Sequence, residues 1–136
     1  MTQVAYAIET ALDSAEFTDV LRRSGLAARR PVDEPDRIRD MVRNANLTVT
    51  ARDPGGVLIG VARSLTDFAY CCYLSDLAVD AAYQKRGIGR ELIRRTHAAA
   101  GPGAILLLLS APDAMSYYRR IGMKRVENGF AFARER

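Results

Sequence analysis

This 136-residue sequence predicts an α/β fold: a central, twisted mixed sheet with helices on both faces. Three observations carry that expectation. Segments of strand-like alternation and of helix-like periodicity succeed one another along the chain. A glycine-bearing loop follows an apolar, aromatic strand and opens directly into an amphipathic helix. The run at residues 105–109 is apolar on both faces, as a strand covered on two sides should be.

Each element has a local reason. Residues 4–8 alternate apolar with smaller side chains and read as a short strand. Asp13 offers a helix N-cap with Glu16 at capping-box spacing. Phe17, Val20 and Leu21 give that helix its apolar face, and Gly25 ends it. A loop with Arg29, Arg30 and Pro31 leads to a second helix, capped by Asp33 with Pro35 in its first turn. Its buried face is Ile38, Met41, Val42 and Ala45.

After Asn46 the period shortens. Residues 47–51 and 57–62 read as strands around the turn Asp53-Pro54-Gly55-Gly56, and residues 70–79 as a third. The next helix buries Ile88, Leu92, Ile93 and Thr96, and Gly101-Pro102-Gly103 stops it. Asp113 caps a last helix running to Ile121. Residues 123–126 and 130–133 are expected to pair as a closing hairpin across Glu127-Asn128-Gly129. The predicted order is β-α-α-β-β-β-α-β-α-β-β, in one domain without repeats or linkers.

Composition narrows the function classes. At 49% hydrophobic and 26% charged residues the chain is neither disordered nor fibrous. Its longest apolar run, residues 104–109, is too short to cross a bilayer. The opening MTQVAYAIET shows no secretory pattern, so a cytoplasmic protein without a membrane partner is expected. Net charge is +4, but the basic residues are scattered pairs rather than a stripe interleaved with aromatics, which argues against nucleic acid. Cys71 and Cys72 are adjacent and lack metal-ligand spacing; buried strand thiols are expected, and no metal.

The chemistry concentrates in Leu77-Ala78-Val79-Asp80, Tyr83, and the loop Gln84-Lys85-Arg86-Gly87-Ile88-Gly89. A strand, a glycine loop and a helix N-terminus together aim several free backbone N–H groups at one point, a natural phosphate site. Gly87 and Gly89 leave room for a phosphate, while Lys85, Arg86 and Arg90 add charge. The loop is neither a Walker loop, lacking Gly-Lys-Ser/Thr, nor a dinucleotide fingerprint, lacking its first glycine. A tight strand-to-helix turn would demand similar glycines.

Gln-x-x-Gly-x-Gly after a strand ending in Leu-Ala-Val resembles the acetyl-CoA signature of the GCN5-related N-acetyltransferases (GNAT). Ala114-Met115-Ser116-Tyr117-Tyr118-Arg119-Arg120-Ile121-Gly122-Met123 resembles the same family's later Ala-x-x-aromatic-Tyr-x-x-φ-Gly-φ pattern. The likeness spans nearly the whole chain. A narrower one, to plastid-type serotonin and lysine N-acetyltransferases, rests on Ser24-Gly25-Leu26 with Arg29-Arg30, residues 61–67, Asp76 and Tyr83-Gln84.

The resemblance implies an enzyme that moves acetyl from acetyl-CoA to a primary amine, with a GNAT fold. The acceptor would be a small-molecule amine; a protein lysine or N-terminus, or a non-catalytic acyl-CoA sensor, are the alternatives. Leu77, Ala78 and Val79 would hold the pantetheine arm, with the Val79 N–H as oxyanion donor. Gln84, Lys85, Arg86, Gly87, Ile88, Gly89 and Arg90 would wrap the pyrophosphate. Strands on either side of the loop would splay to open the cofactor slot.

Tyr118 matches the residue that protonates the departing thiolate, a reasonable pairing of a phenol near pKa 10 with a thiol near 8.5. Tyr117 is its packing neighbour. Family bases map onto Tyr73 and Ser75, neither an obvious base. Asp67, Asp76 and a water chain are the candidates. Strand alternation turns Asp76 to the opposite face unless a bulge intervenes. His97 lies too far along its helix. Arg29, Arg30 and Tyr73 are candidate acceptor contacts: the arginines suit an acidic acceptor, Asp67 a cationic one. Ala111 replaces an asparagine that often contacts the cofactor arm, and Ser110 or Ser116 would have to substitute. A homodimer is compatible with the family, but no residue requires one.

Overall fold

The structure is a computed structural model and describes residues 3–136. Strands β1 (Ala5–Ile8), β2 (Leu47–Arg52), β3 (Leu58–Thr66), β4 (Cys71–Val79) and β5 (Ile105–Leu107) form one sheet in sequential order. The first four are antiparallel, and β5 joins β4 in parallel. That last pairing needs a crossover, which α3 (Ile88–Ala100) supplies. Helices α1 (Ser14–Ser24) and α2 (Pro35–Asn44) precede β2, and α4 (Met115–Arg120) follows β5.

Two cores, one on each face, explain the layering. On one face Ile88, Leu92 and Ile93 of α3 pack against Val49, Ile59 and Leu74. On the other, Phe17, Val20 and Leu21 of α1 and Ile38 of α2 cover Leu58, Val61 and Ala78. Helices therefore flank the sheet on both sides, as the alternating periodicities imply. Gly25 ends α1 in the left-handed conformation, φ 89°.

Several local expectations need correction. The predicted capping box does not close, because Glu16 instead binds the Arg52 guanidinium at 2.6 Å. Glu34 rather than Asp33 is the N-cap of α2. Cys71 is exposed, and Cys72 alone is buried. The closing hairpin is absent: residues 121–136 contain no strand, and Phe130 is 99% exposed. The reason is the partner strand. β5 pairs over only three residues and offers a short edge, while an isolated hairpin is marginal in water. β5 is thus the sheet's edge, with Ile105 and Leu107 exposed rather than covered on both sides.

Candidate active site

β4 and β5 stay paired only from Cys71 with Ile105 to Tyr73 with Leu107. Beyond Tyr73 they part, and a cleft of about 800 Å³ lies between them. Tyr73, Ser75, Leu77 and Val79 form one wall, Leu108 to Ala114 the opposite one, and Tyr118 closes it. The turn at Leu26–Arg29, with Arg30, overhangs the cleft.

Backbone polarity follows from strand alternation. The Asp80 N–H donates to the Ile59 carbonyl of β3 at 2.8 Å, so the Val79 and Leu77 amides turn the other way, toward the cleft. The Gln84 side-chain amide donates to the Val79 carbonyl at 2.9 Å. That bond folds the loop back over the end of β4.

Lys85 and Gly87 both have positive φ, 65° and 83°. Gly87 is the N-cap of α3, and the Glu91 N–H bonds back to its carbonyl at 3.0 Å. The N–H groups of Ile88, Gly89 and Arg90 therefore have no partner within the helix. A Cβ on Gly89 would lie 2.8 Å from the Tyr117 hydroxyl, so any larger residue there would have to displace that hydroxyl. Arg86 stacks over the Tyr83 ring at 5.2 Å. The loop from Gln84 to Gly87 is exposed, and of its residues Gln84 also lines the cleft.

Tyr117 and Tyr118 contact edge to face, centroids 5.3 Å apart, but only Tyr118 lines the cleft. Burial raises the Tyr118 phenol above its usual value, Tyr117 adds to the rise, and Arg30 opposes it. The hydroxyl stays protonated near neutrality and therefore carries a proton it can donate.

The two aspartates expected as bases sit elsewhere. Opposite Arg63 and Ser64, β4 uses Asp76 and Leu74, which leaves Ser75 as an extra, bulged residue. The bulge puts Asp76 on the face of Ala78 and α1, opposite Leu74, where simple alternation would have kept Leu74 and Asp76 together. There it is 0% exposed, its oxygens taken by the Arg30 and Arg63 Nε–H groups. Arg30 also donates to the Ser75 carbonyl at 2.9 Å, and Arg63 to the Met41 carbonyl at 3.0 Å. Asp76 is a clamped structural anion that does not line the cleft, and each of its oxygens is engaged by a guanidinium.

Asp67 lies in the β3–β4 turn, outside the cleft. Its carboxylate accepts the N–H groups of Tyr70 at 2.8 Å, Ala69 at 2.9 Å and Cys71 at 3.1 Å. Those bonds, Tyr70's first, hold its pKa at about 2. So weak a base does not deprotonate an ammonium ion. A stability test follows from the sign. A folded-state pKa below the ordinary 3.8 stabilises the fold above that value and loses its contribution as pH falls toward 2. The difference in melting temperature between the native protein and Asp67→Asn should shrink over pH 4 to 2, with acetyl transfer unaltered. A difference independent of pH would contradict the turn assignment.

Other residues resolve similarly. His97 is exposed on α3, with its Nε2 2.9 Å from the Ala104 carbonyl. Ala111 lines the cleft, and neighbouring Ser110 spends its hydroxyl on the Ala111 carbonyl at 2.6 Å; Ser116 does not reach the cleft. Two lining residues carried no functional signal in the sequence. Asp113 reads only as a helix cap, yet it lies inside a short 3₁₀ turn while Ala114 precedes α4, and Arg134 follows the residues expected to be a strand. Among the described residues no cluster of His, Cys, Asp and Glu suits a metal ion, and no helix is long and apolar enough to cross a membrane.

A sequential sheet opened between two parallel strands, with a glycine loop and helix N-terminus at the mouth, defines a class of acyl-transfer domains. Residues 43–125 match the family model described as an acetyltransferase (GNAT) domain. The chain belongs to that family. A GNAT family acetyltransferase from Brucella melitensis, solved in complex with acetyl-CoA, is 26% identical with TM-score 0.69, covering 90% of this chain and 84% of its own. A GNAT family acetyltransferase from Streptococcus pneumoniae shares the fold at 14% identity and TM-score 0.74, covering 98% and 100%. YhbS from Escherichia coli, solved with CoA, does so at 22% and 0.71, covering 91% and 70%. No curated protein matches the sequence. The narrower likeness to plastid-type serotonin and lysine enzymes finds no support in these comparisons.

Proposed function

We propose that this chain is an acetyl-CoA-dependent N-acetyltransferase, acting as a single domain on a primary amine of a small molecule. The observation that carries the reading is that Tyr118 and the outward-turned edge of β4 line one cleft. The residues present suit acetyl-CoA. Leu77 and Val79 offer backbone groups to an extended pantetheine arm, as a sheet edge does to a peptide. The N–H groups of Ile88, Gly89 and Arg90, with Lys85, form the anion site for the pyrophosphate. The complexes of the Brucella and Escherichia relatives with acetyl-CoA and CoA support the same assignment.

Acetyl-CoA supplies an activated acyl group: the amine nitrogen forms the new C–N bond as the C–S bond breaks, and the sulfur leaves as a thiolate. The Val79 N–H donates to the carbonyl oxygen as charge develops there. Tyr118 donates its hydroxyl proton or hydrogen bond to the leaving sulfur. With Asp67 and Asp76 both away from the cleft, the ammonium proton leaves to water along the wall at Tyr73 and Ser75.

Acetyl-CoA should raise the melting temperature, and an amine panel should release free thiol. Gly87→Val should stay folded, since a Cβ there meets nothing within 4 Å, yet its φ of 83° forces the loop to change. The thermal shift should vanish in that variant. An unchanged shift would overturn the loop assignment.

A further inference from the structure

Resting on the reading of this cleft as an amine acetyl-transfer site, we propose that its acceptor also carries an anionic group, a carboxylate or phosphate, which Arg29 selects. Charge on the cleft wall is the first observation. The formally charged residues lining it are Arg29, Arg30 and Arg134 against Asp113. Asp67, the residue that would have suited a cationic acceptor, lies outside. Asp76 sits behind the wall and is shared between half-buried Arg30 and buried Arg63, so that trio keeps a net positive charge.

The second observation is the unequal use of the two arginines. Every nitrogen of Arg30 is anchored within the protein by one bond: Nε to Asp76, and the two others to the Arg29 and Ser75 carbonyls. Arg29 is exposed, and among the described residues its guanidinium has no hydrogen-bond or ion-pair partner. An Arg30 anchored at three points therefore fixes the chain from which an available Arg29 projects. Guanidinium groups recognise carboxylate and phosphate through paired N–H donors.

Position along the cleft separates this site from the pyrophosphate loop. Arg23, at the end of α1, binds Asp80 and the Leu58 carbonyl, beside the loop end of β4. Arg30 binds Ser75 and Asp76, further back along the strand. The intervening turn thus runs beside β4 away from the loop, and Arg29 lies at its far end. A positive wall here also disfavours the ammonium form of a bound amine. That eases its deprotonation where no side-chain base faces Tyr73.

The test uses the native protein with acetyl-CoA and reads thiol release. Pentylamine, 5-aminopentanoate and 1,5-diaminopentane share a chain length and differ in terminal charge; 3-aminopropyl phosphate tells phosphate from carboxylate. At least one anionic amine should exceed pentylamine in kcat/KM by about 10-fold, mostly through KM, with the diamine poorest. Arg29→Ala should bring the ratio toward one, and Arg29→Glu should favour the diamine. Equal kcat/KM for all probes, or preference for the diamine, overturns the inference and leaves acetyl transfer standing. Absence of thiol release with every amine overturns the underlying reading instead. Calorimetric binding of 5-aminopentanoate, 3-aminopropyl phosphate and pentylamine to the CoA-saturated protein then judges the inference alone, and no preference for either anionic probe rejects it.

Discussion

Replacing Tyr118 by phenylalanine should slow single-turnover acetyl transfer by about 10²- to 10⁴-fold, the range expected for removal of a general acid. The ring and its packing against Tyr117 survive, so acetyl-CoA affinity and folding should change little. Steady-state turnover should fall less than the single-turnover rate if product release limits the native protein. Because burial keeps this phenol above its ordinary value of 10.0, Tyr118 should add no limb to the pH–rate profile near neutrality. Tyr117→Phe is the matching control. Its hydroxyl faces Gly89 rather than the cleft, so its effect on chemistry should be small. Full single-turnover activity in Tyr118→Phe would mean that water or a backbone group serves the leaving sulfur.

Asp76→Ala should cost about 3–5 kcal/mol of folding stability, the usual consequence of removing one partner from a buried ion pair. The carboxylate is 0% exposed and serves two guanidiniums; without it Arg30 and Arg63 keep their charges and lose their common acceptor. Asp76→Asn retains an acceptor oxygen but not the charge and should fall between. Urea unfolding measures both. Acetyl transfer should persist in whatever fraction of Asp76→Asn remains folded. A fully folded, inactive Asp76→Asn would restore this residue to the chemistry and remove it from the scaffold.

Much of the molecule was legible in local patterns. The turn at Asp53-Pro54-Gly55-Gly56, the left-handed Gly25 and the loop from Gln84 to Gly89 are each fixed by what a few neighbouring residues permit. Periodicity likewise marked Phe17, Val20 and Leu21, and Ile88, Leu92 and Ile93, as buried helix faces, and the structure places the two sets in separate cores. These are short-range consequences of φ/ψ preference and hydrophobic spacing, which the chain carries wherever it is placed.

What lay beyond the sequence is everything that depends on two distant segments meeting. The bulge at Ser75 arises only when β4 is paired with β3, and it sets Asp76 on the opposite face from Leu74. Whether a carboxylate is a base or a buried counter-ion then depends on partners 46 and 13 residues away. Asp67 reads as a free acid in a line of letters, but the turn folds three N–H groups onto it. The closing strands failed for the same reason in reverse: residues 130–133 alternate correctly, yet a strand exists only where an edge receives it. Sequence by itself determined the elements up to α4, the glycine-bearing loop that opens α3 and the place of Tyr118 on α4. Tertiary structure decided the charge of the cleft wall, because burial and pairing across the chain set which ionic groups are spent and which remain available.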